Sequence, residues 1–172
     1  MNYLSDMAVI VSIQARDRRA LEAMYLGYHS HLTQFLSRLT SSQNIVDDII
    51  NDTFVVVWKC AKDFGRESSI DTWVFRIAYE TALRSMRRRS TPSRAPHAIE
   101  SDNWLRQGLA RLSVAHRATL TLAYQMGFSI EAVAEITQSS LGIVNERMRR
   151  ASNELHGSLE HTTSRWQRLS NR

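Results

Sequence analysis

The sequence predicts an all-α protein built as two helical modules, and three observations carry that expectation. Only six glycines and two prolines occur in 172 residues. Apolar residues recur at spacings of three and four, the period of an amphipathic helix, while no stretch stands out with the alternation of a strand. Both prolines fall in RRRSTPSRAPHAIESD, from Arg87 to Asp102, a stretch with several arginines and almost no large apolar residue. That is the composition of a solvated connector. It divides the chain into a first module at 17–90, a linker at 91–102, a second module at 103–156 and a polar tail at 157–172. With 43% hydrophobic residues, a chain of this length buries one moderate core or two small ones.

Composition narrows the setting. No run approaches the eighteen or so apolar residues of a membrane span. The apolar patch from Met7 to Ile13 lacks a preceding basic stretch, so it does not read as a secretory signal. A single cysteine, Cys60, excludes an internal disulfide and a cysteine-rich zinc site, and suits a reducing cytoplasm. The net charge of +5 fits an anionic partner.

In the first helix, Leu21, Met24, Tyr25, Tyr28, Leu32, Phe35, Leu36 and Leu39 form one apolar stripe. After the polar break at Ser41 to Gln43, a second helix opening at Asn44 carries Ile45, Ile49, Val56, Val57 and Cys60. Asp47 and Asp48 then fall in its first turn, where capping and the helix dipole favour acids for purely structural reasons. Asp52 lies beyond that turn, four residues from Asp48, a mutually repulsive pair that a basic partner would relieve. A third helix follows the loop from Phe64 to Ser69, with Ser69 as its N-cap and Trp73, Val74, Ile77 and Ala78 turned inward. Its outer face and C-terminal end gather Arg76, Arg84, Arg87, Arg88 and Arg89, with Trp73, Phe75 and Tyr79 interleaved. Arginine beside aromatics is how single-stranded bases are stacked and their phosphates held. The structural alternative stays open here, since Trp73 also suits a core and Glu80 is spaced to pair with Arg76 and Arg84.

Beyond the connector, Trp104, Leu105, Leu109 and Leu112 begin a helical region that continues to Tyr124. Ser129 then caps a short helix with Val133, Ala134 and Ile136. A polar turn from Thr137 to Ser140 leads into a new helix at Leu141, the spacing of a helix-turn-helix. Leu141, Val144, Met148, Ala151 and Leu155 are expected to face the core. The opposite face offers Ser140, Ile143 and Glu146 for base edges and Arg147, Arg149 and Arg150 for phosphates or guanines. The plain alternative is an exposed helix face on which Glu146 and Arg150 make an i,i+4 pair.

Three segments in this order resemble the extracytoplasmic-function sigma factors of bacterial RNA polymerase, within the sigma-70 family. VDDIINDTFVVVWK, from Val46 to Lys59, is similar to the family's polymerase-binding helix, and IDTWVFRIAYETALRSMRRRS, from Ile70 to Ser90, to its promoter-melting helix. LARLSVAHRATLTLAYQMGFSIEAVAEITQSSLGIVNERMRRA, from Leu109 to Ala151, looks like its C-terminal module. The resemblance runs from about Leu21 to Leu155. It implies a region 2-like bundle and a region 4-like helix-turn-helix, cytoplasmic, monomeric when free, without cofactor, metal or catalytic activity. Asp47, Asp48, Asn51 and Asp52 match the surface that docks on the clamp helices of the largest polymerase subunit, and the flap is implied as a second polymerase contact. Trp73, Arg76, Tyr79, Glu80, Arg84, Arg87 and Arg88 fall on the minus-ten helix, and the loop from Phe64 to Asp71 where an unstacked base is captured. Ser140, Ile143, Glu146, Arg147, Arg149 and Arg150 fall on the helix for the minus-thirty-five element. Promoter DNA is thus an implied partner, and an anti-sigma protein restrains many relatives.

The chain also departs from the family pattern. Ile45 stands where a further acid is usual, and Glu80 and Arg84 where Asn and Asp are frequent. Ser113 replaces a usual Pro, Gln138 a usual turn Gly, and Gly142 to Glu146 a Gly-Thr-Val-Lys-Ser run. Ile143 and Glu146 make the reading surface atypical, because a carboxylate near phosphates is unfavourable unless it accepts from a cytosine amino group. The main rival is a free-standing, dimeric helix-turn-helix regulator, and a helical adaptor with a basic tail is the plainer one. An enzyme fits poorly. The run from Asp47 to Asp52 superficially resembles the metal motif of isoprenoid synthases, yet no second acidic motif lies on another helix. His29 and His31 diverge on their helix, and no nucleophile with a base and an orienting group is found.

Overall fold

The computed structural model describes residues 3–65, 67–88 and 112–153, with side chains from residue 7 onward. The linker, Trp104, Leu105, Leu109, Leu155 and the tail with Trp166 lie outside the described residues. The described residues are helical, with no strand among them.

Helix α1, Tyr3–Gln14, precedes the expected start of the first module yet contributes to its core, with Ile10 and Ile13 fully buried. The apolar patch from Met7 to Ile13 is therefore one face of a packed helix. Arg16 turns the chain in the left-handed region, at φ 68°, and Asp17 caps α2, Arg18–Leu39, by accepting from the Arg19 amide at 2.8 Å. The same turn ties α1 to the end of α3. Gln14 Nε2 donates to the Ala61 carbonyl at 3.0 Å, and Arg16 donates to the Trp58 carbonyl at 2.9 Å while lying over the Trp58 ring. These donors meet carbonyls that a helix C-terminus leaves unpaired.

Along α2 the apolar stripe buries Met24, Tyr28, Leu32, Phe35, Leu36 and Leu39, as its spacing predicts. Helix α3, Gln43–Cys60, buries Val46, Ile49, Ile50, Phe54 and Val57 against α2 and α4, and a 3₁₀ turn, Ala61–Asp63, closes it. Burying such side chains stabilises by about 1.5–3 kcal/mol each. Ser69 caps α4, Ile70–Arg88, accepting from the Thr72 amide at 3.0 Å.

In the second module α5, Val114–Leu120, runs into a π-helical turn, Thr121–Gln125. Gly127, at φ 74°, then reverses the chain. Ser129 caps α6, Ile130–Ile136, through the Ala132 amide at 3.2 Å, and α7 spans 141–153. Val144 and Ala151 are buried on α7 as expected, but Leu141 is 47% exposed, because it sits in the first turn beyond the reach of the core.

The two modules share one apolar core. Ala118, Leu122, Val133, Ala134, Ile136 and Val144 belong to the same buried cluster as the first-module side chains. This explains why α4 is buried almost all round from Ile70 to Ala82: α2 and α3 cover one side and α6 the other. A helix apolar around its whole circumference needs such cover on both sides.

Candidate nucleic-acid interface

Three surfaces carry the residues singled out from the sequence. On α3, Asp48, Asn51 and Asp52 are exposed on one face, and Asp47 is half-buried, accepting from Gln43 Nε2 at 2.9 Å. The helix begins at Gln43 rather than Asn44, with Ser42 extended before it and making no side-chain cap bond. Asp47 and Asp48 consequently lie past the first turn, where the dipole and capping explanation for them loses its force. Asn51 accepts from the Tyr25 hydroxyl at 3.3 Å. Asp48, Asn51 and Asp52 line an open groove with Ser85 and Arg88 of α4. Ile45 is partly buried against the core, so at this position an apolar contact replaces surface charge.

The second surface, on α4, is mostly covered. Trp73, Phe75 and Tyr79 are buried, the Trp73 ring packing 5.1 Å from that of Phe64. Phe75 lies between Phe35 of its own module and Phe128 of the other, with ring centroids at 5.5 and 5.0 Å. Glu80 does not pair with Arg76 or Arg84 as its spacing suggests. It accepts from Gln138 Nε2 at 2.7 Å, while Arg76 faces Glu135 at 3.9 Å and Arg84 donates to Thr81 Oγ1 at 3.2 Å. Desolvation raises the Tyr79 hydroxyl above its usual pKa, only partly countered by the charges of Arg147 and Arg87. Arg84, Arg87 and Arg88 remain exposed beyond the cover. At the start of the helix, Asp71 accepts a hydrogen bond from the Tyr28 hydroxyl, anchoring the end of the loop whose Phe64 is buried and whose Gly65 and Glu67 are exposed.

The third surface is the outer face of α7. Ser140 Oγ accepts from the Ile143 amide at 3.4 Å, and the Ile143 side chain is 48% exposed. Glu146 receives Arg149 Nε and a terminal guanidinium nitrogen, both at 2.9 Å, and Arg150 Nε at 2.5 Å. Those charge-assisted bonds, Arg149 first and then Arg150, hold its carboxyl down at about 2. Arg147 donates to Ser139 Oγ at 2.9 Å across the turn.

A family model described as Sigma-70 region 2 matches residues 24–91. The RNA polymerase sigma factor YlaC of Bacillus subtilis (strain 168) is 28% identical over 159 residues, covering 81% of this chain and 92% of the relative. The ECF RNA polymerase sigma-E factor of Escherichia coli (strain K12) is 26% identical over 174 residues, covering 86% and 91%. Residues 24–91 thus match Sigma-70 region 2, and over most of its length the chain is similar to extracytoplasmic-function sigma factors. Its fold is that of sigma factor RpoE solved with the anti-sigma factor NepR from Bartonella quintana, with a TM-score of 0.68 at 24% identity over 81% of this chain and 96% of that one. CnrH, solved with the cytosolic domain of CnrY, gives 0.71 at 21% identity over 91% and 97%.

Among the described residues, no helix is long and apolar enough to cross a membrane, and no group of three or more His, Cys, Asp or Glu is placed to hold a metal. Several functional candidates escaped the sequence reading. His116 lines a shallow cleft with Gly142, Ile143, Glu146, Arg147 and Arg150, its Nδ1 2.8 Å from Ser113 Oγ. The spacing Ser113-x-x-His116 at a helix start was the available signal. Phe128, Glu135 and Gln138 contact α4, and nothing in their local pattern announces a long-range partner.

Proposed function

We propose that the chain is a sigma factor of RNA polymerase that selects promoters by dividing the work among the three surfaces. The acidic face of α3, with Asp47, Asp48, Asn51 and Asp52, docks on the basic clamp helices of the largest polymerase subunit. Arg76, Tyr79, Glu80, Arg84, Arg87 and Arg88 of α4 then hold and help melt the minus-ten element, with Trp73 supporting them from the core. On α7, Ser140, Ile143, Glu146, Arg147, Arg149 and Arg150 read the minus-thirty-five duplex, where a helix in the major groove meets base edges and phosphates. Chemistry stays with the polymerase, in the cytoplasm, and the flap contacts the second module. The structure of similar fold solved with the anti-sigma factor NepR supports a restraining partner of that class.

The observation that carries this reading is the exposed acidic face of α3 in a chain of net charge +5, lying past the turn where capping would explain it. Co-purification with core polymerase tests it. Asp48→Arg combined with Asp52→Arg is expected to weaken core binding at least a hundredfold while the helical circular dichroism is retained. Undiminished binding removes those acids from the interface.

A further inference from the structure

The cleft beside α7 brings together two elements that the helix-turn-helix spacing does not connect. Its volume is about 330 Å³, and its walls are His116 on α5 and Gly142, Ile143, Glu146, Arg147 and Arg150 on α7. Ser113 orients the His116 ring. The Ser113 Oγ accepts from the His116 amide at 3.3 Å and lies 2.8 Å from Nδ1. With the oxygen already accepting, its own hydrogen goes to Nδ1, so the ring's hydrogen sits on Nε2 and is left to donate elsewhere. A proline, usual at position 113 in the family pattern, has no hydroxyl for either bond, so the set of this ring is particular to the serine. The charges across the cleft suit an anion. Both carboxylate oxygens of Glu146 are taken by Arg149 and Arg150. Arg147 directs Nη1 to Ser139 Oγ and Arg150 directs Nε to Glu146, which leaves each guanidinium with further N–H donors. Gly142 adds room: a side chain there would meet nothing within 4 Å, so the protein's own packing does not call for glycine. Glycine weakens a helix relative to alanine, and what it provides here is close access to the α7 backbone for a group from outside.

We propose that this cleft seats one backbone phosphate of duplex DNA, with His116 Nε2–H and the guanidinium groups of Arg147 and Arg150 as donors and Ser113 as the residue that positions the imidazole. The proposal rests on the minus-thirty-five reading of α7 given above and adds a contact from outside the helix-turn-helix. Phosphate contacts fix how a protein lies along the duplex, while base edges supply the sequence. A phosphate gripped by α5 and α7 together sets the angle at which α7 enters the major groove, and so which base edges the exposed Ile143 beside the cleft can meet.

The test uses the full chain assembled with core polymerase on a promoter fragment from which it directs initiation, with single phosphates of the upstream element replaced in turn by neutral methylphosphonates. His116→Ala is expected to weaken binding of the unmodified fragment about tenfold, the loss of one hydrogen bond to a charged group. At one phosphate position the methylphosphonate should weaken the parent about tenfold and the His116→Ala assembly less than about twofold, because the two changes remove the same contact. His116→Gln, whose amide nitrogen reaches the place of Nε2, should recover binding to within about threefold of the parent. Ser113→Ala should show a smaller loss at that same phosphate, and Gly142→Ala should raise Tm while weakening binding. Parent-like binding by His116→Ala overturns the contact. A loss that couples to no single phosphate, or that glutamine does not recover, makes the ring structural and overturns it too. Should His116→Ala lose its helical circular dichroism, Gly142→Ala decides, and a raised Tm with undiminished binding overturns the seat. Failure of the minus-thirty-five reading is seen separately, as binding of the unmodified fragment that Arg147→Ala with Arg150→Ala leaves unchanged.

Discussion

The outer face of α3 and the outer face of α4 sit on adjacent packed helices and meet opposite fates. The first presents its acids to solvent, and the second is largely covered by α6 of the other module. The difference follows from side-chain chemistry. Asp48, Asn51 and Asp52 lose hydration if covered by anything but cations, whereas Phe75 and Tyr79 gain from cover. Arginines and aromatics suited to stacking bases are thus equally suited to packing on a neighbouring helix.

The comparison breaks first at Phe75. Phe75→Ala removes a ring packed from both modules and is expected to cost about 3–5 kcal/mol in urea unfolding, whereas Phe128→Ala, at a partly exposed ring, should cost about half as much. Equal costs would place the weight of the contact on the second module. Next, Arg84→Ala with Arg87→Ala acts on the exposed end of α4, and should lower permanganate-detected promoter melting by about a hundredfold at unchanged core binding, since charged hydrogen bonds contribute about 1.5–3 kcal/mol each. Unchanged melting would move the minus-ten contact to the covered residues alone.

A smaller effect concerns the clasp on α7. Glu146→Gln frees two arginines, and the dependence of promoter binding on log salt should steepen by about one to two in slope. Because the Glu146 carboxyl is held down at about 2, its pairing is fully present above the ordinary carboxylate range and is lost only as pH falls through about 2. Promoter binding should therefore show no Glu146 titration between pH 5 and 8, and an inflection there that vanishes in the Gln variant contradicts the clasp. The smallest effect is at Tyr79. Burial raises its hydroxyl pKa, so the stability linked to that burial is fully present below the unfolded value and fades as pH rises through the higher folded value. Ultraviolet titration should find this tyrosine ionising later in the parent than in Gln138→Gly with Glu135→Arg.

Much of this architecture was legible in advance because it is local. The stripe of α2, the Ser69 and Ser129 caps and the helix-turn-helix spacing depend on residues a few positions apart, and each is present. The sequence does not announce helix α1, because its fully buried residues, Ile10 and Ile13, are too few to form a stripe and lie in an apolar patch that reads as isolated. Helix α3 starts one residue earlier than its sequence predicts, because Gln43, polar like the break before it, joins the first turn. What could not be read was the pairing of Glu80 with Gln138 and of Arg76 with Glu135, each more than fifty residues apart. Local spacing offered nearer partners for both, and tertiary packing chose the distant ones. Buried aromatics on several sides of α4 were the available hint that it would be covered twice.

The central claim is tested most directly by run-off transcription with core polymerase on a library of promoter fragments. Added to core, the chain is predicted to direct initiation from a discrete set of fragments, and Asp48→Arg with Asp52→Arg to abolish it. Transcription unchanged by the chain, together with dimeric binding to duplex DNA in the absence of polymerase, would contradict the account and restore the free-standing regulator.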